Sequence, residues 1–489
     1  MKRHQRFFGH RKHAAVFVTL ALAAGAVASG CDGSDSPEEP TGGAGGTSSS
    51  SGTVNGSAGT GGSPSTQGSP CPEPTGAGTV HDTFLIEADE TWTAEGSPHH
   101  VPSSIAIRGA TVTVEACAVV VIGEDQTIEI GDSSGEPAAL RATGEVDAGT
   151  LRPATFTSEG EGSYFGSLWV DVTGSLELEN TVIVGGGSVN TGTMNGAIVA
   201  IGPLGLPAND SVHLVDVTLS DSAGIGVHLG DFTAFSAASD GLVIEGAGAV
   251  TPVGSEETLY PLAVTTAALS SIPRGDYVNN ARDAVLVDAA DRYPADVVLR
   301  DRGVPYVSSG DFHLEPDGAN ALDFTIEAGV TVAFPGDSRL ALGSASGPVR
   351  VVAQGTAAKP IVFTSAKDTK AAGDWVGVDW GGAPAGGNVF DFVRIEYAGA
   401  PSQIASFGCG PNVNDAALIL TGWRPDDAFI ENSSFVESAG GGIVSGWDSD
   451  QAGPDLTSNN VFEGLAACSV TQPKVDGACP GGDATPDCY

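Results

Sequence analysis

Apolar and polar residues alternate along this chain in short runs. Thr111-Val112-Thr113-Val114 and Val393-Arg394-Ile395-Glu396 put every second side chain on an apolar face, which is the period of a β-strand. In the second run Val393 and Ile395 are expected inward, Arg394 and Glu396 outward. Gly, Asn, Asp and Pro punctuate the runs, and long amphipathic helical patterns are absent. The pattern predicts an all-β body beginning near Thr79.

The runs are used twice. Leu140–Gly187 contains LRATG, ATFTS, GSLWVDV and NTVIVGGG. Val349–Gly399 contains VVAQGTAAKPIVFTS, GDWVGVDW and FDFVRIEYAG. Likewise TVTVEACAVVVI (Thr111–Ile122) matches FTIEAGVTVAF (Phe324–Phe334), and VHLVDVTLSDSAGIGV (Val212–Val227) matches FIENSSFVESAGGGIV (Phe429–Val444). The matches keep their order, and small insertions in turns explain the drift in register. Phe84–Ile107 and Val297–Leu314 read as the opening strands of the two series. Within each half strands recur every ~20–25 residues, the length of one solenoid coil. Asn432 and Asn459-Asn460 fall at strand-to-turn corners, where Asn tolerates left-handed backbone.

The series IEAGVTVAF, AQGTAAKPIVFTS, GDWVGVDW and VRIEYAG resembles a family of bacterial surface proteins with right-handed parallel β-helix repeats. Pectate lyases and other polysaccharide-active proteins share that superfold. The resemblance spans Thr111–Ser469 and implies architecture, since its motif residues are structural. In the first half Leu168-Trp169 blurs the GDW element, and Cys117 stands where the second half has Gly329. The expected fold is all-β: a right-handed single-stranded parallel β-helix (solenoid) of two related halves. Its parts are a signal peptide (1–30), a disordered linker (31–78), a first half (79–250), a connector (251–296) and a second half (297–489).

The N-terminus adds an address. Lys2, Arg3, Arg6, Arg11 and Lys12 precede an apolar or small stretch, Ala14–Gly30, and then Cys31. This reads as a bacterial secretion signal ending in a lipobox-like site, with Ala28 where Leu is usual. Cys31 is the expected lipidation site, making the protein an exported lipoprotein of the outer membrane or cell surface. The Gly/Ser/Thr/Pro stretch that follows cannot bury a core and reads as a tether. The whole chain carries a formal net charge of −39. The five basic residues named leave with the signal, so 16 Lys and Arg face 60 Asp and Glu, a net −44. Such a chain repels nucleic acid and disfavours polyuronates. Expected partners are the membrane, through the lipid, and a polysaccharide or cell-surface protein.

Lipidation leaves six cysteines: Cys71, Cys117, Cys409, Cys468, Cys479 and Cys488. In an exported protein these suggest disulfides. Cys71–Cys117 is expected to clamp the N-terminal end. Cys479–Cys488 is favoured for its short loop, which leaves Cys409–Cys468.

Candidate chemistry is sparse. Gly131-Asp132-Ser133-Ser134-Gly135 fits a nucleophile elbow but joins two strands, and its copy Gly343–Gly347 lacks the central Ser, so a turn explains both. His99-His100 are adjacent in a strand, point to opposite faces, and read as an exposed pair. Asp448, Asp450 and Asp455 could make a loose Ca²⁺ site, although Asn459 stands where an EF-hand loop has Glu. No other cofactor is expected. Asp379, Arg394 and Glu396 are the candidate catalytic set, since a lyase or hydrolase on this superfold needs carboxylates with a basic partner. A solvated ladder of cross-strand ion pairs is the favoured reading of the same residues. Of six tryptophans, Trp375 reads as packing, while Trp423 and Trp447 follow turn-like junctions and are candidate sugar-stacking residues. The resulting expectation is a structural, adhesive or ligand-binding surface protein without glycan-cleaving activity. The alternatives are a β-helix polysaccharide lyase or glycoside hydrolase and a Ca²⁺-dependent glycan-binding module.

Overall fold

The computed structural model describes residues 70–489, apart from 190–194, 251–257, 290–291, 319, 345, 383–385, 405–407, 410–413, 452, 481–487 and 489. Cys31, the signal segment and nearly all of the tether lie outside the described residues. The body is a single-stranded parallel β-helix. One sheet of 14 parallel strands runs its length, from Leu85–Ile86 to Val461–Glu463. The other faces are interrupted. In the first half they are an eight-stranded face, Thr79–Val80 to Gly275–Asp276, and a six-stranded face, Glu90–Trp92 to Thr233–Phe235. In the second half they are two five-stranded faces. One runs from Val297–Leu299 to Ile430–Glu431 (the Val297 face), the other from Phe312–Leu314 to Gly441–Gly446 (the Phe312 face).

Alternation builds the interior. Val120, Phe156, Ile183, Leu219 and Ile244 are successive partners on the eight-stranded face, and all are fully buried. Each such side chain contributes about 1.5–3 kcal/mol relative to exposure. Val393 and Ile395 are buried and Arg394 and Glu396 lie outside, as the alternation requires. The corners need left-handed backbone. Asn432 and Asn459 adopt it, as do Gly329 (φ +96°) and its first-half counterpart Cys117 (φ 65°). Cys117 keeps the conformation without glycine's freedom, and its disulfide to Cys71 holds it in place.

The two halves are related in sequence but out of phase in space. Thr111–Val114, Val119–Ile122 and Ile128–Ile130 occupy the six-stranded face, the eight-stranded face and the long sheet in turn. Their counterparts Leu322–Ile326, Thr331–Phe334 and Arg339–Leu342 occupy the Val297 face, the long sheet and the Phe312 face. The long sheet therefore takes the third strand of each triplet in the first half and the second strand in the second half.

The shift happens between Thr233–Phe235 of the six-stranded face and Val297–Leu299 of the Val297 face. The stretch 251–296 is not a separate connector. Leu262–Thr265 and Val285–Asp288 are consecutive strands of the long sheet. Between them a 3-10 helix, Thr266–Ser271, stands where the six-stranded face would continue. Its serines bridge the halves: Phe235 N donates to Ser271 Oγ at 3.0 Å, and Val298 N to Ser270 Oγ at 2.9 Å. The eight-stranded face ends at Gly275, whose Cα is so close to Leu242 O that a Cβ would sit 1.8 Å from it. Tyr277 fills the corner, fully buried, with its hydroxyl donating to Pro273 O at 2.8 Å. Burial pushes its phenol pKa up.

Three disulfides tie the ends. Cys71–Cys117 pairs as expected. The C-terminal pairs are Cys409–Cys479 and Cys468–Cys488, not Cys409–Cys468 and Cys479–Cys488. The reason is strand pairing. Gly408–Cys409 lies antiparallel to Gln472–Val475, and Val475 then turns onto Ala478, bringing Cys479 beside Cys409. Thr471 bridges Cys488, next to Cys468. These segments form a flap against Val444 of the Phe312 face, which is buried in one cluster with Ala416 and Ile419.

Candidate functional site

The outward side of the long sheet carries a groove. Ala263, Leu286, Val307, Ala333 and Thr364 are successive outward partners. Glu396 follows, its Oε1 accepting from the Thr364 hydroxyl at 2.9 Å. The floor thus passes from apolar to polar over four strand spacings between Leu286 and Glu396, about 19 Å at ~4.8 Å each. Near its middle it holds a cavity of about 410 Å³. Tyr260 and Arg282 form one wall, the guanidinium carbon 5.5 Å from the ring centroid and Nη1 donating to the tyrosine oxygen at 2.9 Å. Lys367 and Asp368 form the other.

At the polar end the groups are mutually bonded. Lys370 Nζ donates to Thr364 Oγ1 at 2.9 Å, and Arg394 Nε donates to Glu396 Oε2 at 2.6 Å. Both oxygens of the half-buried Glu396 are therefore engaged. Lys370 also lies 5.9 Å from the Tyr397 ring centroid. Lys367 pairs with the buried Asp374 at 2.8 Å. Burial opposes the charge on Asp374, but hydrogen bonds from Lys367, the Ala371 amide and Ser365 outweigh it and hold the carboxyl below its usual range. Trp375 is fully buried, stacked on Phe334 at 4.5 Å, with Nε1 donating to Glu396 O at 2.9 Å. Its role is packing beneath the network.

The expected catalytic set is split. Arg394 and Glu396 share this groove, whereas Asp379 stands on the Phe312 face. The chain places these strands close in sequence, but each coil turns them onto different sides. On its own face Asp379 follows Ala341 and His313 across the strands. Burial pushes its carboxyl pKa up, with Arg339 and His313 opposing. Its Oδ1 is buried without a hydrogen-bond partner. Asp311 lies 3.3 Å from His313 Nε2.

The other candidates fare differently. Trp423 is 61% exposed, as a stacking residue must be. Trp447 is buried at 1%, because the following turn folds back until Gly453 sits against its ring; it cannot display a stacking face. Asp448 Oδ1 accepts from Gly477 N at 3.0 Å, and Asp455 is spent capping its own turn at Thr457 and Ser458. Among the described residues no three His, Cys, Asp or Glu side chains come together as a metal site. His99 is buried rather than exposed. Its Nδ1 meets His81 Nε2 at 3.0 Å and its ring stacks on Trp92 at 5.6 Å. Burial, then the His99 charge, lowers the His81 pKa. The Gly131–Gly135 motif is a turn closed by Asp132 Oδ1 on Ser134 N at 2.9 Å.

Tyr260, Lys367 and Lys370 escaped the sequence reading. The only signal for the two lysines is that basic residues are few, and three of the chain's 21 Lys and Arg fall within Lys359–Lys370; Tyr260 had none.

Residues 294–389 match a family model described as a pectate-lyase like beta helix domain. The matched segment holds His313, Arg339, Thr364, Lys370 and Asp379, and stops before Arg394 and Glu396. No curated protein matches the chain significantly, and no solved structure does.

Proposed function

We propose that this protein is an exported, lipid-anchored β-helix of the cell envelope that binds a polysaccharide in the groove of its long sheet. The observation that carries this reading is the groove itself. An apolar floor ends in bonded polar groups, beside a tyrosine under a guanidinium. Sugar rings offer apolar faces and hydroxyl edges, which such a surface matches. The basic groups at the polar end are already paired, and the chain is strongly negative, so the fitting ligand is a neutral glycan.

Binding to a panel of neutral and acidic polysaccharides, with and without Ca²⁺, tests this. Tyr260→Ala and Lys370→Ala should each weaken binding of the preferred neutral glycan roughly 5- to 30-fold, about 1–2 kcal/mol. Unchanged affinity in both variants would refute the groove as the site. Anchoring rests on the signal and lipobox-like segment. Cys31→Ala should release the protein from the membrane fraction, and intact mass spectrometry of the mature protein should find lipid on Cys31.

The alternative is a β-helix lyase or hydrolase. It is supported by the family match and by Asp379, a carboxyl that burial keeps protonated to higher pH beside Arg339 and His313. New reducing or unsaturated ends on any substrate, lost in Asp379→Asn, would favour it over binding alone.

A further inference from the structure

Away from the groove, the six-stranded face brings together three side chains of a different chemistry. Glu179 ends the strand Gly174–Glu179, His213 lies in Asn209–Val215, and Ser236 directly follows Thr233–Phe235. These are successive coils: Ser236 follows Phe235, the partner of Val212, and so lies beside His213, while Glu179, two residues beyond the His213 partner Glu177, reaches the imidazole diagonally. Ser236 Oγ lies 2.7 Å from His213 Nδ1, and His213 Nε2 lies 3.4 Å from Glu179 Oε1. Ser239 Oγ is 3.2 Å from Ser236 Oγ. A hydroxyl in hydrogen-bond reach of an imidazole, itself oriented by a carboxylate, is the arrangement that activates a serine nucleophile.

The row opens onto space. Ser236 and Ser239 line a trough of about 970 Å³, formed where the six-stranded face gives way to the 3-10 helix. Arg274, Arg300 and Arg302 line it as well. Arg274 is held by Asp240 at 2.7 Å, while Arg302 rests through Nε and Nη2 on Ile272 O at 3.0 and 2.7 Å. A regular solenoid face has no such recess; it exists here because the repeat changes phase.

We propose that Ser236, His213 and Glu179 form an acyl-transfer site that hydrolyses carboxylic esters held in this trough. With the proton of His213 on Nε2, toward Glu179, Nδ1 is free to accept from Ser236. Oγ attacks the ester carbonyl carbon as its proton passes to Nδ1. The C–O bond to the leaving alcohol then breaks, and the alcohol takes that proton from His213. Water, deprotonated by the same nitrogen, attacks the acyl-serine, releases the carboxylic acid and restores Ser236. Ser236 and His213 are the catalytic residues. Glu179 positions the imidazole and stabilises its charged form. The site is separate from the glycan groove and does not depend on it.

The test uses the purified mature protein with a fluorophosphonate probe and 4-nitrophenyl acetate. The expected result is one covalent adduct, mapped to the peptide containing Ser236. Ser236→Ala should abolish it and lower ester kcat/KM on the order of a hundredfold or more. Glu179→Gln should lower kcat more than KM and shift the pH profile of kcat, which loss of a merely structural contact would not do. Circular dichroism and glycan binding should be unchanged in Ser236→Ala, which removes only the hydroxyl. No adduct at Ser236 in the folded protein, or ester turnover equal in wild type and Ser236→Ala, would overturn the proposal.

Discussion

The two halves of this β-helix are written in the same strands and wound into different cross-sections. In the first half, ATFTS lies on the eight-stranded face; in the second, IVFTS lies in the long sheet. Both segments bury the same central residue, Phe156 or Phe363. A strand with alternating side chains is served equally well by any face of a solenoid, because each face presents the same pleated neighbour. Face identity is set elsewhere, at the coil that hands one half to the other. There a 3-10 helix, Tyr277 and a terminal strand at Gly275 replace a regular turn of the repeat. The irregular coil fixes the phase and also opens a trough of about 970 Å³ beside the six-stranded face.

That comparison can be broken at the junction first. Tyr277→Ala removes a fully buried ring and its bond to Pro273 O. It should cost about 3–5 kcal/mol, and denaturant unfolding should lose its single step as the halves uncouple. A single step with unchanged midpoint would mean that the junction does not couple them. Next come the ends. The paired change Cys409→Ser with Cys479→Ser opens a link across 70 residues. It should destabilise the second half by about 2–4 kcal/mol, measured as a fall in Tm, with Cys71–Cys117 intact by peptide mapping.

A smaller effect, of opposite sign, belongs to Asp379. Its pKa is raised by burial, so the folded state holds a proton more readily than the unfolded chain. The stability tied to this group is complete below the ordinary value of 3.8 and is lost as pH rises through the raised one. Asp379→Asn should therefore stabilise the protein at pH 7 by roughly 1 kcal/mol. The advantage should vanish on acidification, read from Tm against pH. His81 runs the other way. Its lowered pKa makes the unfolded chain the better proton binder, so stability falls as pH drops below 6.5 toward the folded value. His81→Phe should flatten that slope. The smallest effect is at the groove's polar end. Arg394→Ala removes a partly exposed ion pair and should change stability by about 0.2–1 kcal/mol. A larger loss would mark the network as structural rather than ligand-facing.

Much of the fold could be read from the chain, because period-two alternation and a repeated motif are local signals. Val393 and Ile395 went inward, Asn432 and Asn459 took their corners, and Cys71 met Cys117. What escaped was set by contacts between coils. No spacing in the sequence reveals that Cys409 lies beside Cys479, since that follows from an antiparallel pairing at the flap. Trp447 looked displayed because it follows a turn, and a later glycine let the chain close over it. Asp379, Arg394 and Glu396 looked like one cluster because they are near in sequence, yet a coil of three faces separates neighbours and unites residues a full turn apart. Glu179, His213 and Ser236 are that case: two intervals of one coil each, unremarked as a motif because no fixed short spacing joins them.

The C-terminal flap has a consequence for growth. A parallel solenoid ends in an unpaired strand, a template on which another copy could stack its first coil. Here Gly442 N and Ile443 N donate to the carbonyls of Cys468 and Ser469, and Thr471 N returns to Ile443 O. The last strand of the Phe312 face is thus occupied by the chain's own tail, and Cys468–Cys488 keeps it there. The tail thus supplies the backbone partners that this edge would otherwise lack, and opening Cys468–Cys488 removes one of the covalent links that hold it there.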